Sequence, residues 1–161
     1  PDSLTSTSSH SVHPSDFMAK ANTVFVTGST GFIGTKLVNE LVKRGNTVHA
    51  LTRGTSNKDG LSHERIKLFT GDIQDRTSLQ RGIEGCKQVY HLAAYAKNWS
   101  HDTSVFYKQN VEGMRNVFEV AKGAGVKRVV FTSTIVAFGP TPAGVTGNET
   151  MPRITPRYYT Q

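Results

Sequence analysis

Three glycines, Gly28, Gly31 and Gly34, stand three residues apart in the stretch "TGSTGFIG" at 27–34. They lie between the apolar run Thr23-Val24-Phe25-Val26 and the helix-like stretch "FIGTKLVNELVKRG". In such a strand-to-helix turn the first glycine permits a tight bend, the second lets the backbone approach a ligand, and the third allows close helix packing. The amides of the turn, at Ser29 and Thr30, and those opening the helix, at Phe32 and Ile33, favour an anion such as a pyrophosphate. Glycines alone are a weak signal. The strand before, the helix after and a second strand at the right distance make this a dinucleotide-binding pattern. That second strand ends in "HALTRGTSNK". An acidic residue at its end would bond the ribose hydroxyls and repel a 2′-phosphate, but Thr52 stands there, followed by Arg53 and, farther on, Lys58. NADP(H) is therefore favoured, with NAD(H) as the alternative.

Other reactive residue types are sparse. The six histidines, at 10, 13, 49, 63, 91 and 101, have no metal-ligand spacing, so no metal site is expected, and His91 is expected to be packed within a strand. The single cysteine, Cys86, cannot form an internal disulfide; it reads as a small apolar residue in a reducing, cytoplasmic compartment. The chain of 161 residues, 36% hydrophobic and 19% charged, is long enough for one domain with a real core. No apolar run approaches the roughly 18 residues of a membrane span. The net charge of +7 comes from scattered basic residues without a nucleic-acid motif, so neither a membrane nor a nucleic acid is an expected partner.

The elements that must position the turn follow from periodicity. Residues 1–20 are rich in Ser and Thr, lack hydrophobic periodicity and are expected to be disordered. After "TVFVT", helical spacing places Ile33, Leu37, Val38, Leu41 and Val42 on one face, closed by Gly45 at C′. "NTVHALT", "RIKLFTGD", "KQVYHLAA" and "VKRVVFTST" read as four further strands, with a short helix in "QDRTSLQRGIEG". A long helix is expected over 103–123, burying Val105, Phe106, Val111, Met114, Val117, Phe118 and Val120. The order β-α-β-β-α-β-α-β calls for an α/β fold, a parallel sheet with helices on both faces. After residue 139, "GPTPAGVTGNETMPRITPRYYTQ" reads as an extended loop with no place in the sheet.

The turn "TGSTGFIG", with the spacing G-x-x-G-x-x-G, resembles that of the extended short-chain dehydrogenase/reductase superfamily, which includes nucleotide-sugar epimerases, dehydratases and dihydroflavonol-reductase-like enzymes. "GDIQD" at 71–75, "VYHLAA" at 89–94 and "NVEGMRNVFEVAKGAGVKRVVFTST" at 110–134 resemble further family segments in order and spacing, and the resemblance covers about residues 22–161. It implies a Rossmann-type doubly wound sheet in three α/β/α layers. It further implies that Asp72 bonds the adenine amino group with Ile73 beside it. Leu92, Ala93 and Ala94 would let the cofactor lie against the backbone, and Asn110 would position the active-site backbone or a water.

The same resemblance implies a catalytic hydroxyl at the end of the fifth strand and a Tyr-x-x-x-Lys pair on a later helix. The tyrosine exchanges a proton with the substrate oxygen, the lysine lowers its pKa, and the hydroxyl orients that oxygen. Thr134 aligns best with the hydroxyl and Ser133 is second. Tyr159 would need a lysine two positions past Gln161; in a second alignment "YYTQ" precedes the catalytic tyrosine, which then also lies past Gln161. The chain thus reads as the N-terminal, cofactor-binding part of a longer enzyme lacking its substrate region, with a homodimer possible in the full-length form. The leading expectation is an oxidoreductase acting on a carbonyl or alcohol of a small organic molecule. An NAD-dependent nucleotide-sugar epimerase or dehydratase and a non-catalytic dinucleotide-binding module are the alternatives.

Overall fold

The computed structural model describes residues 22–134 and 139–151. Five parallel strands form one sheet in the order β3-β2-β1-β4-β5, from β1 (Thr23–Thr27), β2 (Thr47–Thr52), β3 (Ile66–Thr70), β4 (Gln88–His91) and β5 (Arg128–Phe131). The chain runs outward from β1 to β3 and then restarts on the other side at β4. This reversal opens a crevice at the carboxyl ends of β1 and β4, where ligands of such sheets bind.

The side-chain alternation of β1 divides the core in two. Phe25 joins Leu79, Ile83, Val89, Val117 and Ala121 on the face covered by α2 (Arg76–Ile83) and α4 (Gly113–Gly123). Val24 and Val26 turn to the other face and join Val38, Leu41 and Val48 beneath α1 (Phe32–Lys43). Burying apolar side chains on both faces of a central strand is the main stabilisation of such a layered fold, at roughly 25 cal/mol per Å² of apolar surface removed from water.

Local signals end the helices as expected. At the end of α1, Gly45 has φ +83°, its amide donates to Val42 O at 2.8 Å, and that of Asn46 donates to Leu41 O at 3.1 Å. These two bonds make a Schellman motif, which needs the left-handed backbone that glycine adopts cheaply. The Asp75 carboxylate caps α2 by accepting from the Thr77 amide at 3.0 Å.

Three expectations are corrected. Ile33 is 59% exposed. At about 100° per residue it falls about 120° from the centre of the stripe made by Gly34, Val38, Leu41 and Val42. Phe118 is 37% exposed for the same reason, lying off the stripe of Gly113, Val117, Val120 and Ala121. The expected long helix is present but not uniform: α3 (Ser104–Tyr107) passes through a π-helical turn, Lys108–Glu112, into α4, with helical dihedrals at each junction. Val105, Phe106, Val111 and Met114 are only half-buried there.

All four residues of β5 are exposed, including the apolar Val129, Val130 and Phe131, and among the described residues β4 is its only strand neighbour. Residues 139–151 hold turns and neither helix nor strand.

Candidate dinucleotide site

The crevice at the carboxyl ends of β1 and β4 is a cavity of about 500 Å³, a size typical of cofactor sites. Its floor is the glycine turn. Gly28 has φ +68°, and a Cβ there would lie 2.7 Å from the Ala93 nitrogen, so only glycine lets the end of β1 meet the backbone beyond β4 this closely. A Cβ on Gly34 would lie 2.0 Å from Gly28 O, which presses the first turn of α1 against the bend. Gly31 is different. It is exposed, lines the cavity, and a Cβ there would meet only Gly28 O at 3.2 Å, leaving its open side to the cavity.

Gly31 is also the N-cap of α1, and no side chain caps it. The first amides of this 12-residue helix are therefore left without a side-chain cap beside Gly31, a cavity-lining residue, at the positive end of the helix dipole. Of the charged side chains lining the cavity, Arg53 and Lys97 are cations and Asp72 is an anion. An uncapped helix start, two glycines in the floor and an excess of positive charge suit a pyrophosphate. Leu51, Ile73 and Leu92 supply apolar wall for a flat ring.

The expected site residues divide. Gly28, Thr30, Gly31, Arg53, Asp72, Ile73, Leu92, Ala93 and Ala94 line this one cavity. Ser29 does not: its side chain is buried and its hydroxyl donates to Leu51 O at 2.7 Å, which ties the turn to β2. Phe32 and Ile33 are exposed, at 88% and 59%, and Gly34 is packed beneath the turn. Lys58 lines a separate depression with Leu61 and Ile66. Ser133 and Thr134 follow the carboxyl end of β5, exposed and outside the cavity lining. Tyr159 lies outside the described residues.

Asn110 acts at one remove. Sitting in the π-helical turn, it holds both backbone polar groups of Tyr95, a cavity residue, and such widened turns recur at functional sites. The Tyr95 ring in turn packs edge-on against Phe106, with centroids 5.1 Å apart.

Sequence reasoning missed Leu51, Ser56, Gly71, Ala96 and Gln109 as lining residues. Gln109 had a usable signal, since it precedes Asn110 in a helix whose start faces the loop after β4. Ser56 had none, because its place depends on how the loop after Arg53 folds back: its amide donates to Arg53 O at 3.0 Å. Trp99 stays 66% exposed, with its ring against His101 and outside the cavity lining.

Cys86 is buried against the His49 ring and the Gly82 carbonyl, and burial pushes its thiol pKa up to about 12. His91 is buried, and burial holds its pKa down to about 4. Among the described residues no group of three or more His, Cys, Asp or Glu could hold a metal ion, and no helix is long and apolar enough to cross a membrane.

The comparisons agree with this geometry. Residues 24–159 match the model of the NAD dependent epimerase/dehydratase family. Over 122 residues the chain is 38% identical to sterol demethylase protein B of Methylococcus capsulatus, covering 76% of this chain and 37% of that protein. Over 135 residues it is 36% identical to dihydroflavonol 4-reductase of Solanum lycopersicum, covering 78% and 36%. The chain therefore spans little more than a third of the length of these relatives. Its fold superposes on that of UDP-glucose 4-epimerase from Thermus thermophilus, solved in complex with NAD, with a TM-score of 0.73, 30% identity, and coverage of 83% of this chain and 44% of that one. With a Rossmann-like sheet, a glycine cradle at its switch point and a family match over most of its length, the chain belongs to the NAD dependent epimerase/dehydratase family.

Proposed function

We propose that this chain is the dinucleotide-binding part of an NADP(H)-dependent oxidoreductase acting on a carbonyl or alcohol of a small organic substrate. The observation that carries this reading is that the charged residue just past the end of β2 that shares a cavity with Gly28 and Gly31 is Arg53 rather than an acid. Its guanidinium can take a 2′-phosphate that a carboxylate at the neighbouring position would repel. The name of one relative, dihydroflavonol 4-reductase, supports reductase chemistry, and that of another, sterol demethylase protein B, supports an organic substrate.

In this reading the amides around Gly31 hold the pyrophosphate. Asp72 accepts from the adenine amino group beside Ile73, and the small side chains of Ala93 and Ala94 admit the cofactor close to the backbone. When bound, the nicotinamide supplies or takes up the hydride. Thr134, with Ser133 as the second choice, orients the substrate oxygen. The proton is exchanged by Tyr159 or by a tyrosine past Gln161, paired with a lysine also past Gln161.

A second reading, an NAD-dependent nucleotide-sugar epimerase or dehydratase, is favoured by the likeness to the NAD complex of UDP-glucose 4-epimerase. Calorimetric titration of the chain with NADPH and NADH separates the two. NADPH should bind more tightly, Arg53→Ala should remove most of that preference, and Gly31→Val should abolish binding of both. Tighter binding of NADH would overturn the NADP assignment in favour of the second reading, and binding of neither would overturn the dinucleotide reading for this chain.

A further inference from the structure

The wall formed by Leu92, Ala93 and Ala94 lies just past the last residue of β4; the Leu92 amide still donates to the Thr27 carbonyl at 3.3 Å, and backbone pairing with β1 ends there. The Ala93 amide instead donates to Thr27 Oγ1 at 3.2 Å. The same oxygen lies 2.6 Å from His91 Nδ1. A threonine hydroxyl has one proton to give and two lone pairs to accept with. The oxygen could accept from two donors, but among the described residues Nδ1 is the one acceptor its own buried proton meets, so the hydroxyl gives that proton to an unprotonated Nδ1, which leaves the ring neutral with its proton on Nε2. Both side chains are buried, and the low pKa of His91 agrees with a neutral ring.

The other side of the ring faces β5. Phe131 stacks on it with centroids 5.5 Å apart, and Phe118 meets it edge-on at 6.4 Å. The His91 carbonyl accepts from the Thr132 amide at 3.1 Å, directly before Ser133 and Thr134. His91 therefore stands between the cavity wall and the end of β5.

We propose that His91 is a positioning residue: acting through the Thr27 hydroxyl, it orients the Ala93 amide and with it the wall against which the dinucleotide lies. The proposal rests on the dinucleotide reading above for its functional consequence. Filling the core would require only a ring of this size, whereas orienting Thr27 requires an acceptor at the position of Nδ1. In His91→Phe the bulk is kept and the acceptor lost. In His91→Asn the acceptor is kept, because Asn Oδ1 lies close to where Nδ1 was, and the bulk is lost.

The test is to measure amide hydrogen exchange at Ala93 by NMR, and NADPH affinity, in the wild type, these two variants, Thr27→Val and Thr27→Ser. Exchange should be about tenfold faster and NADPH binding about tenfold weaker in His91→Phe and Thr27→Val. Both should stay near wild type in His91→Asn and Thr27→Ser, although His91→Asn should melt at a lower temperature. The reverse order, with His91→Phe unchanged and His91→Asn impaired, would overturn the proposal and leave a packing role. Should His91→Phe fail to fold, the Thr27 pair decides it, since Thr27→Val behaving like Thr27→Ser also overturns it. If the wild type binds no dinucleotide, the proposed function fails while the Ala93 exchange rates still decide the positioning. If the wild type binds and every variant matches it, the positioning role alone fails.

Discussion

The carboxamide of Asn110 pairs with both backbone polar groups of Tyr95, its Oδ1 accepting from the amide at 2.8 Å and its Nδ2 donating to the carbonyl at 3.1 Å. This is the pairing a neighbouring strand would make, supplied by one side chain to a loop that has left the sheet. It holds the segment after Ala94 at the cavity, and the π-helical turn carries the residue that does so.

Asn110→Leu leaves both Tyr95 groups without this partner and should destabilise the chain by about 1–3 kcal/mol. Asn110→Asp keeps the acceptor but sets a carboxylate against the Tyr95 carbonyl, so it should not restore the wild type. Thermal melts and NADPH titrations of the two variants check this. A melting temperature and affinity equal to wild type in Asn110→Leu would remove the clamp from the account of the site.

The three glycines of the turn should fail in different ways. Gly34→Ala drives a Cβ into Gly28 O and should cost about 1–3 kcal/mol or more by overpacking, seen as a lower denaturant midpoint. Gly31→Ala should fold with nearly native stability, since its Cβ meets one atom at 3.2 Å, and should lose affinity for the dinucleotide instead. Equal losses of stability in the two would contradict this division of labour.

Ile73 lines the cavity while its side chain rests on Gly113 of α4, where a Cβ would lie 2.5 Å from Ile73 Cδ1. Gly113→Ala should push Ile73 toward the cavity and weaken dinucleotide binding several-fold. The paired change Gly113→Ala with Ile73→Val should recover part of the affinity, because it removes Cδ1, the nearer of the two clashing atoms, while Cγ1 at 2.8 Å remains. No recovery in the double variant would show that the effect does not pass through Ile73.

Burial that raises the Cys86 thiol pKa to about 12 leaves almost no thiolate at pH 8, and the residue is shielded from reagents. Alkylation of the native chain should therefore be slow, at a rate that rises steeply with denaturant as the fold opens. Rapid labelling of the native chain at pH 8 would contradict the packing around His49 and Gly82.

His91 should make the fold sensitive to acid. Its folded pKa of about 4 lies below the ordinary value of 6.5, so between those values the unfolded chain binds the extra proton and the folded chain does not. The stability this residue contributes is complete above pH 6.5 and is lost as pH falls toward 4, by about 3 kcal/mol in all. Denaturation midpoints across that range should fall less steeply in His91→Phe than in the wild type; parallel slopes would mean that other groups carry the acid sensitivity.

Much of the site could be read from the chain because its signals are local. The spacing of Gly28, Gly31 and Gly34, the strand before them, and Gly45 closing α1 each depend on a few neighbouring residues and on backbone freedom. Arg53 could be located because the end of β2 is marked by composition. The face taken by Ile33 and by Phe118 was less legible, because apolar type alone does not fix a residue's angular position around the helix.

The sequence by itself determined the order and type of the elements, and through them the parallel sheet, because periodicity and glycine punctuation act within one turn or one strand. Only the tertiary structure decided which polar groups meet across long separations. Thr27 finds His91, 64 residues on, and Asn110 finds Tyr95 across a loop. Likewise Ser29 is committed to Leu51, and Ile73 rests on Gly113. No local pattern encodes these pairings, because a hydroxyl or amide is compatible with many partners until packing of the layers excludes water and leaves one within reach.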